Sequence, residues 1–170
     1  MSWHDETRRF YDETAQLAFD TWFDNPTLLP ILKLFIEHLP DNPSVLDLGC
    51  GTGGESKRLS DLGARVTGID FSGKALEYAR KSVPTAEFLE QDIRHIDLKG
   101  KAFNGILEAA VLFHFNKTEQ DRILFGIISS LTSGGIFLSL YPEGDHEGMQ
   151  EKEMAGKRLK RYVRLLPAET

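Results

Sequence analysis

The residues with the clearest chemical potential lie in one run, Val45-Leu46-Asp47-Leu48-Gly49-Cys50-Gly51-Thr52-Gly53-Gly54. An apolar strand is followed by a carboxylate and then by glycines at alternate positions. Without a Cβ, Gly49, Gly51 and Gly53 can bring the main chain against a ligand, and a helix starting near Gly54 would aim its free N–H groups at the same space. That order builds a nucleotide-type cradle. Two further carboxylates, Asp70 and Asp92, follow at spacings of 23 and 22 residues, each at or just past the end of a predicted strand. In a parallel sheet such strand ends lie side by side, about 4.8 Å apart, so the three acids form a row of hydrogen-bond acceptors beside the cradle. Gly49, Gly51 and Gly54 also satisfy the G-x-G-x-x-G of dinucleotide-binding folds, a weak match by itself. Asp47 argues against a pyrophosphate there, because a carboxylate would repel it from the helix N-terminus.

The elements that must position these groups follow from an alternation of short apolar runs and amphipathic segments, the signature of βαβ units on a parallel sheet. Predicted strands are Ser44–Leu48, Arg65–Ile69, Ala86–Glu90, Phe103–Glu108 and Gly135–Tyr141, rich in residues suited to burial on both faces. Between them, Gly54–Leu62 supplies a first crossover helix closed by Gly63, and Ser72 caps a second that carries Ala75, Leu76, Tyr78 and Ala79 and ends before Pro84. Asn116 and Glu119 make a capping box for a third, with Ile123, Leu124, Ile127, Ile128 and Leu131 on one face and Ser133-Gly134-Gly135 as its stop. Ahead of the sheet, Asp5–Phe19 and Leu28–Leu39 read as helices punctuated by Pro26 and Pro40. The expectation is one doubly wound, mostly parallel α/β domain over 1–170, with a helical cap at 1–43 and a sheet core at 44–170.

The Asp-x-Gly-x-Gly-x-Gly run closely resembles the first motif of the Rossmann-like (class I) S-adenosylmethionine-dependent methyltransferases, and nearly all of the chain follows their pattern. The resemblance implies S-adenosylmethionine as cofactor and in-line methyl transfer to a small-molecule acceptor. It implies that the loop Gly49, Cys50, Gly51 and Gly53 cradles the methionine and ribose portion, with Asp47 near the amino group. Asp70 would accept from both ribose hydroxyls and Phe71 would lie on the adenine. Asp92 would take the exocyclic amine, with Ile93 beside the ring. The strand Phe103–Glu108 resembles the family's fourth motif with Asn104 in place of the usual Asp, and puts Glu108 and Ala109 beside the methionine. In such chains the N-terminal helix lies over the cofactor as a lid; a helix that merely covers the sheet is the alternative. Two other functions stay open: a cofactor-binding protein without turnover, and a nicotinamide-dependent oxidoreductase resting on G-x-G-x-x-G alone.

His114 is a catalytic candidate, since an imidazole of ordinary pKa is a general base at neutral pH. The apolar setting Phe113-His114-Phe115 also suits a hydrogen-bonded wall residue. Tyr11, on the first helix, is the second candidate. The other histidines have no metal-ligand spacing, and no metal is expected. Cys50, the only cysteine, reads as a small filler and excludes an intrachain disulfide.

With 170 residues, 41% of them hydrophobic and 27% charged, the chain has room for one folded core. A formal net charge of −6 disfavours long nucleic-acid partners. No secretory leader or run of about 18 apolar residues is seen, so no membrane span is expected and a cytoplasmic location is the default. After the fifth strand, 143–156 reads as polar and 157–166 as a sixth strand with basic flanks. Relatives usually continue with a helix and an antiparallel seventh strand, and the missing strand would leave an exposed C-terminal edge that makes a homodimer plausible.

Overall fold

The structure, a computed structural model, describes residues 2–98 and 100–167. At its centre is β1 (Ser44–Leu48), whose side chains alternate between two buried faces. Val45 packs with Leu32, Phe35 and Leu59, whereas Leu46 and Leu48 pack with Ile106, Ile123 and Ile127. A strand buried on both sides reads as a continuous apolar run, as it does here. β1 pairs in parallel with β2 (Arg65–Asp70) and β4 (Phe103–Ala109); β3 (Glu87–Glu90) adds to β2 and β5 (Leu131–Leu140) to β4. The order β3-β2-β1-β4-β5 is that of a doubly wound sheet. The chain builds outward from β1 to β3 and then returns to the other side of β1. That reversal opens a crevice at the carboxyl ends of β1 and β4, where such folds take their ligands.

Helices cover both faces. On one lie α2 (Leu29–Glu37), α3 (Gly54–Asp61) and α4 (Gly73–Ser82); on the other lie α5 (Lys117–Ile128) and the 3₁₀ turn Ile93–His95. Close packing depends on a missing side chain at Gly105 of β4, where a Cβ would sit 2.6 Å from the Phe35 ring of α2. Fully buried Leu46, Ile69, Ile106 and Ile127 make the core, each contributing about 1.5–3 kcal/mol by leaving water. The expected caps form: Ala75 N–H donates to Ser72 Oγ at 3.1 Å and Glu119 N–H to Asn116 Oδ1 at 3.0 Å, while Glu119 returns its carboxylate to the Asn116 N–H. Asn104 accepts from the Ser44 N–H at 2.9 Å, so the amide at the position usually held by Asp serves local strand anchoring.

Three expectations need correction. Leu131 is not on the face of α5; that helix ends at Ile128, and Leu131 opens β5 opposite Phe103. Ser133-Gly134-Gly135 consequently lies inside β5, where the register with β4 slips between Phe103 and Gly105, a bulge that glycines tolerate. The segment 143–156, read only as polar with no strand assigned to it, contains β6 (Glu147–Met154). The basic segment is a strand, β7 (Lys157–Arg164), but it pairs antiparallel with β6 in a separate hairpin and does not extend the main sheet. The turn is Ala155-Gly156, both at positive φ, as a two-residue hairpin of primed type needs.

α1 (Trp3–Trp22), longer than expected, spans the crevice. One side is tied to the hairpin through Tyr162 N–H to Thr7 Oγ1 at 3.0 Å and an ion pair of Lys157 with Glu13. The other is tied to the sheet side through Ser72 Oγ to Asp12 at 2.7 Å and Arg8 to Glu90 at 2.6 Å. Among the described residues no helix is long and apolar enough to cross a membrane.

Candidate active site

Beneath α1 the carboxyl ends of β1, β2 and β4 enclose a cavity of about 690 Å³. Its floor is the glycine loop. Gly49 and Cys50 both donate their N–H groups to the Ile69 carbonyl, at 2.7 and 3.0 Å, which folds the loop across the end of β2. Gly49 is at φ +69°, and a Cβ there would lie 1.9 Å from Val111 Cγ2, so only glycine fits both the backbone and the neighbour. Gly51 then donates its N–H to Asp70 Oδ2 at 2.9 Å.

The three acids stand at or just past the ends of adjacent strands, Asp47 in β1, Asp70 in β2 and Asp92 two residues beyond β3, yet their surroundings differ. Asp70, the last residue of β2, lines the cavity and takes the Gly51 N–H on one oxygen and the Ser72 N–H, at 2.8 Å, on the other. Burial pushes its carboxyl up to about 6 against these donors. Asp47 is buried behind the loop, where it accepts from Ser56 Oγ of α3 at 2.5 Å; burial pushes it up to about 7. It does not line the cavity. Asp92 lines it at the edge, capping the 3₁₀ turn through the Arg94 N–H and held by the Arg94 guanidinium at 2.5 Å. Burial would raise its carboxyl, but the hydrogen bonds and charge of Arg94 together outweigh that and lower it.

The structure therefore brings Gly49, Cys50, Gly51, Asp70, Phe71, Asp92, Ile93, Ala109, Tyr11 and His114 to one cavity wall. Asp47, Gly53 and Glu108 are not on it. Gly53, at φ +87°, turns the chain into α3. Glu108 is wholly buried, with Oε1 accepting from the Val111 and Leu112 N–H groups and Oε2 from Ser139 Oγ, so its carboxylate holds up the wall from behind. The Cys50 thiol is buried and pushed well up by that burial, which leaves it a filler beside Phe88 and Leu76.

His114 departs from expectation in its titration. Its Nδ1 sits 2.6 Å from the Tyr162 carbonyl, an acceptor only, so Nδ1 carries the proton and donates. Nε2 then accepts from the Tyr11 hydroxyl at 2.5 Å. Burial pushes the imidazole down to about 3, because a charged ring would be desolvated. The ring is neutral throughout the physiological range and its lone pair is occupied. Tyr11 in turn accepts from Arg161 Nη1 at 3.1 Å, and burial pushes its phenol up. Arg161, on the hairpin, lines the cavity, as does Glu55 in the first turn of α3. Sequence reasoning passed over Glu55 and read Arg161 only within the basic cluster Lys152 to Arg164, as part of a solvated face in preference to a phosphate contact. Glu55 carried the ordinary signature of a helix N-terminal acid, and Arg161 was one of several bases on a strand whose partner was not recognised.

The comparisons with known proteins bear on this geometry. The family model described as a methyltransferase domain matches residues 45–135, which span β1 to β5. The YqeM protein of Bacillus subtilis (strain 168) is 34% identical over 142 residues, 79% of this chain and 49% of that protein. The cypemycin N-terminal methyltransferase of a Streptomyces species is 31% identical over 137 residues, covering 74% and 53%. Among solved structures, the complex of DhpI with SAH superposes with a TM-score of 0.77 at 20% identity, covering 96% of this chain and 80% of that one, and so shares the fold. The chain spans about half the length of the curated relatives it matches. A glycine loop closed on the acid of β2, at the switch point of a sheet that the family model covers for more than half of the sequence, shows that the chain belongs to the methyltransferase-domain family.

Proposed function

We propose that this chain binds S-adenosylmethionine in the cavity beneath α1 and catalyses methyl transfer to a small-molecule acceptor. The observation that carries the reading is Asp70: a cavity-lining carboxylate fixed by the Gly51 N–H on one oxygen and the Ser72 N–H on the other, with the Phe71 N–H also turned to it. A carboxylate so fixed at the cavity wall suits hydroxyl donors such as those of a ribose. The cavity volume falls within the range of sites that enclose a small ligand. Relatives lend support. MtfA, a glycopeptide N-methyltransferase of the same fold, is solved with (S)-adenosyl-L-methionine, and matched relatives include a trans-aconitate 2-methyltransferase and a dTDP-amino-sugar N,N-dimethyltransferase.

In this reading Gly49, Cys50 and Gly51 give backbone contact, Phe71 and Ile93 flank the adenine, and Asp92 accepts from its amine. Ala109 lies beside the methionine. Asp47 acts on the amino group from behind the loop, and Glu108 by holding Val111 and Leu112 in place. The bound cofactor supplies a methyl group already activated by the sulfonium charge. The protein's part is to orient and to exclude water, which α1 does by roofing the cavity. Tyr11 presents its hydroxyl to the acceptor, and neutral His114 fixes the direction of that hydroxyl. A proton lost by the acceptor is not stored on His114, whose protonation is opposed by burial and by neighbouring Arg161.

Calorimetric titration with S-adenosylmethionine, S-adenosylhomocysteine and NADH tests the reading. Micromolar binding of the adenosyl ligands, about −8 kcal/mol, with none for NADH is expected. Folded protein that prefers NADH, or binds neither adenosyl ligand, would refute it.

A further inference from the structure

The hairpin brings positive charge to a cavity whose glycine-loop end is lined by Asp70 and Glu55. In the β6–β7 register Gln150 stands opposite Arg161 and Lys152 opposite Leu159, so Gln150, Lys152 and Arg161 share one face. Leu159 and Val163 of that face are buried, while Lys152 and Arg161 line the cavity. The Arg161 guanidinium lies 5.1 Å from the Phe10 ring and 5.6 Å from that of Phe113. It donates to two neutral oxygens, Tyr11 Oη at 3.1 Å and Gln150 Oε1 at 3.3 Å. Its Nε is buried and has no acceptor, and among the described residues no carboxylate forms an ion pair with it.

A guanidinium has five N–H groups, and the two bonds above leave three. Arg161 is half-buried with its Nε shut off from water, and a partly desolvated cation is costly without a counter-ion; among the described residues the fold supplies none, although carboxylates are abundant in this acidic chain. We propose that the counter-ion is the substrate: the methyl acceptor is an organic acid whose oxyanion, a carboxylate or phosphonate, is held by Arg161 with Lys152 at the rim. This deepens the methyl-transfer reading and rests on it. Arg161 bonds to Tyr11, and Tyr11 stands with its ring 6.1 Å from that of Phe71, so the anion would be seated on the far side of Tyr11 from the adenine end. The Phe10 and Phe113 rings beside the guanidinium restrain it and favour forked, two-point binding over a mobile point charge.

The test measures binding to the purified full chain in the presence and absence of S-adenosylhomocysteine, with succinate, its uncharged diamide and methylphosphonate as probes. Wild-type protein is expected to bind at least one anion and not the diamide, with affinity falling as salt rises. Arg161→Gln is expected to weaken anion binding about tenfold to a hundredfold, and Arg161→Lys to recover part of it, while each variant keeps wild-type affinity for S-adenosylhomocysteine. That last affinity doubles as the check on folding. Tighter binding of succinate assigns a carboxylate, and tighter binding of methylphosphonate a phosphonate. Equal binding of acid and diamide, no anion binding by the wild type, or full binding by a folded Arg161→Gln protein overturns the proposal. Loss of S-adenosylhomocysteine binding by the wild type would instead remove the cofactor reading, and the anion arm without it still decides the subsite.

Discussion

Replacing Asp70 with Asn gives the sharpest test of how the cavity holds a ligand. Asp70 is buried, its carboxyl is pushed up to about 6 by that burial, and it faces the cavity while the backbone N–H groups of Gly51, Ser72 and Phe71 fix it. Ligand hydroxyls favour the carboxylate over the acid, so binding draws the group toward its ionised form. In the free protein at pH 5, about one molecule in eleven is ionised at this site, and binding should be about tenfold weaker there than well above pH 6, ~1.4 kcal/mol. At neutral pH the amide loses a charged acceptor and turns an NH₂ toward either the Gly51 or the Ser72 N–H. Hydrogen bonds to a charged group contribute about 1.5–3 kcal/mol, so Asp70→Asn should weaken S-adenosylhomocysteine binding about ten- to a hundredfold. Calorimetry of both proteins between about pH 5 and pH 8 separates the effects. The wild-type affinity should fall on acidification through about pH 6, and the variant should lack that part of the slope. Asp47, pushed up to about 7 by burial, and the cavity-lining Glu55, whose carboxyl burial also raises, can add slope of their own, and Asp47→Asn and Glu55→Gln separate those parts. A wild-type affinity that is flat with pH, or an Asp70→Asn protein that binds as tightly as the wild type, would show that Asp70 holds the loop and not the ligand.

The remaining expectations concern stability and the wall. Gly49→Ala should destabilise the fold by about 2–4 kcal/mol in urea denaturation, from the clash with Val111 and the positive φ together; an unchanged midpoint would mean that Val111 yields freely. Asp47 has its carboxyl raised, so its contribution to stability is present at low pH and is lost as pH rises through about 7. Wild-type stability should therefore fall relative to Asp47→Asn between about pH 4 and pH 8, by as much as ~4 kcal/mol, and a difference constant with pH would exclude the shift. Tyr11→Phe leaves His114 Nε2 buried without a donor and should lower folding stability by about 1–3 kcal/mol. If Tyr11 faces the acceptor, the same variant should slow methyl transfer while S-adenosylhomocysteine affinity stays within about twofold. A rate profile with an inflection near 6.5 that disappears in His114→Asn would contradict the low pKa of the buried imidazole.

The strand-loop-helix unit from Val45 to Leu62 was legible in the sequence because its determinants are local. An apolar run, glycines where backbone angles are positive, and a helix start all fall within consecutive residues, and the same holds for the caps at Ser72 and Asn116. The order of the three acids was legible too, since one βαβ period per strand sets their spacing. What tertiary structure alone decided depends on which groups share a buried volume. Asp47, Asp70 and Asp92 look equivalent as a spaced series, yet one is hidden against Ser56, one faces the cavity and one is tied to Arg94. His114 has an ordinary imidazole in sequence and a neutral one in the fold, because the burial that keeps it neutral comes from elements distant in sequence, with its partners Tyr11 and Tyr162 lying 103 and 48 residues away. The hairpin escaped notice because Glu147–Met154 alternates too little in polarity to read as a strand and Ala-Gly is a muted turn signal. Only pairing with β7 and docking on α1 give it a buried face, and that face is what delivers Arg161 to the cavity.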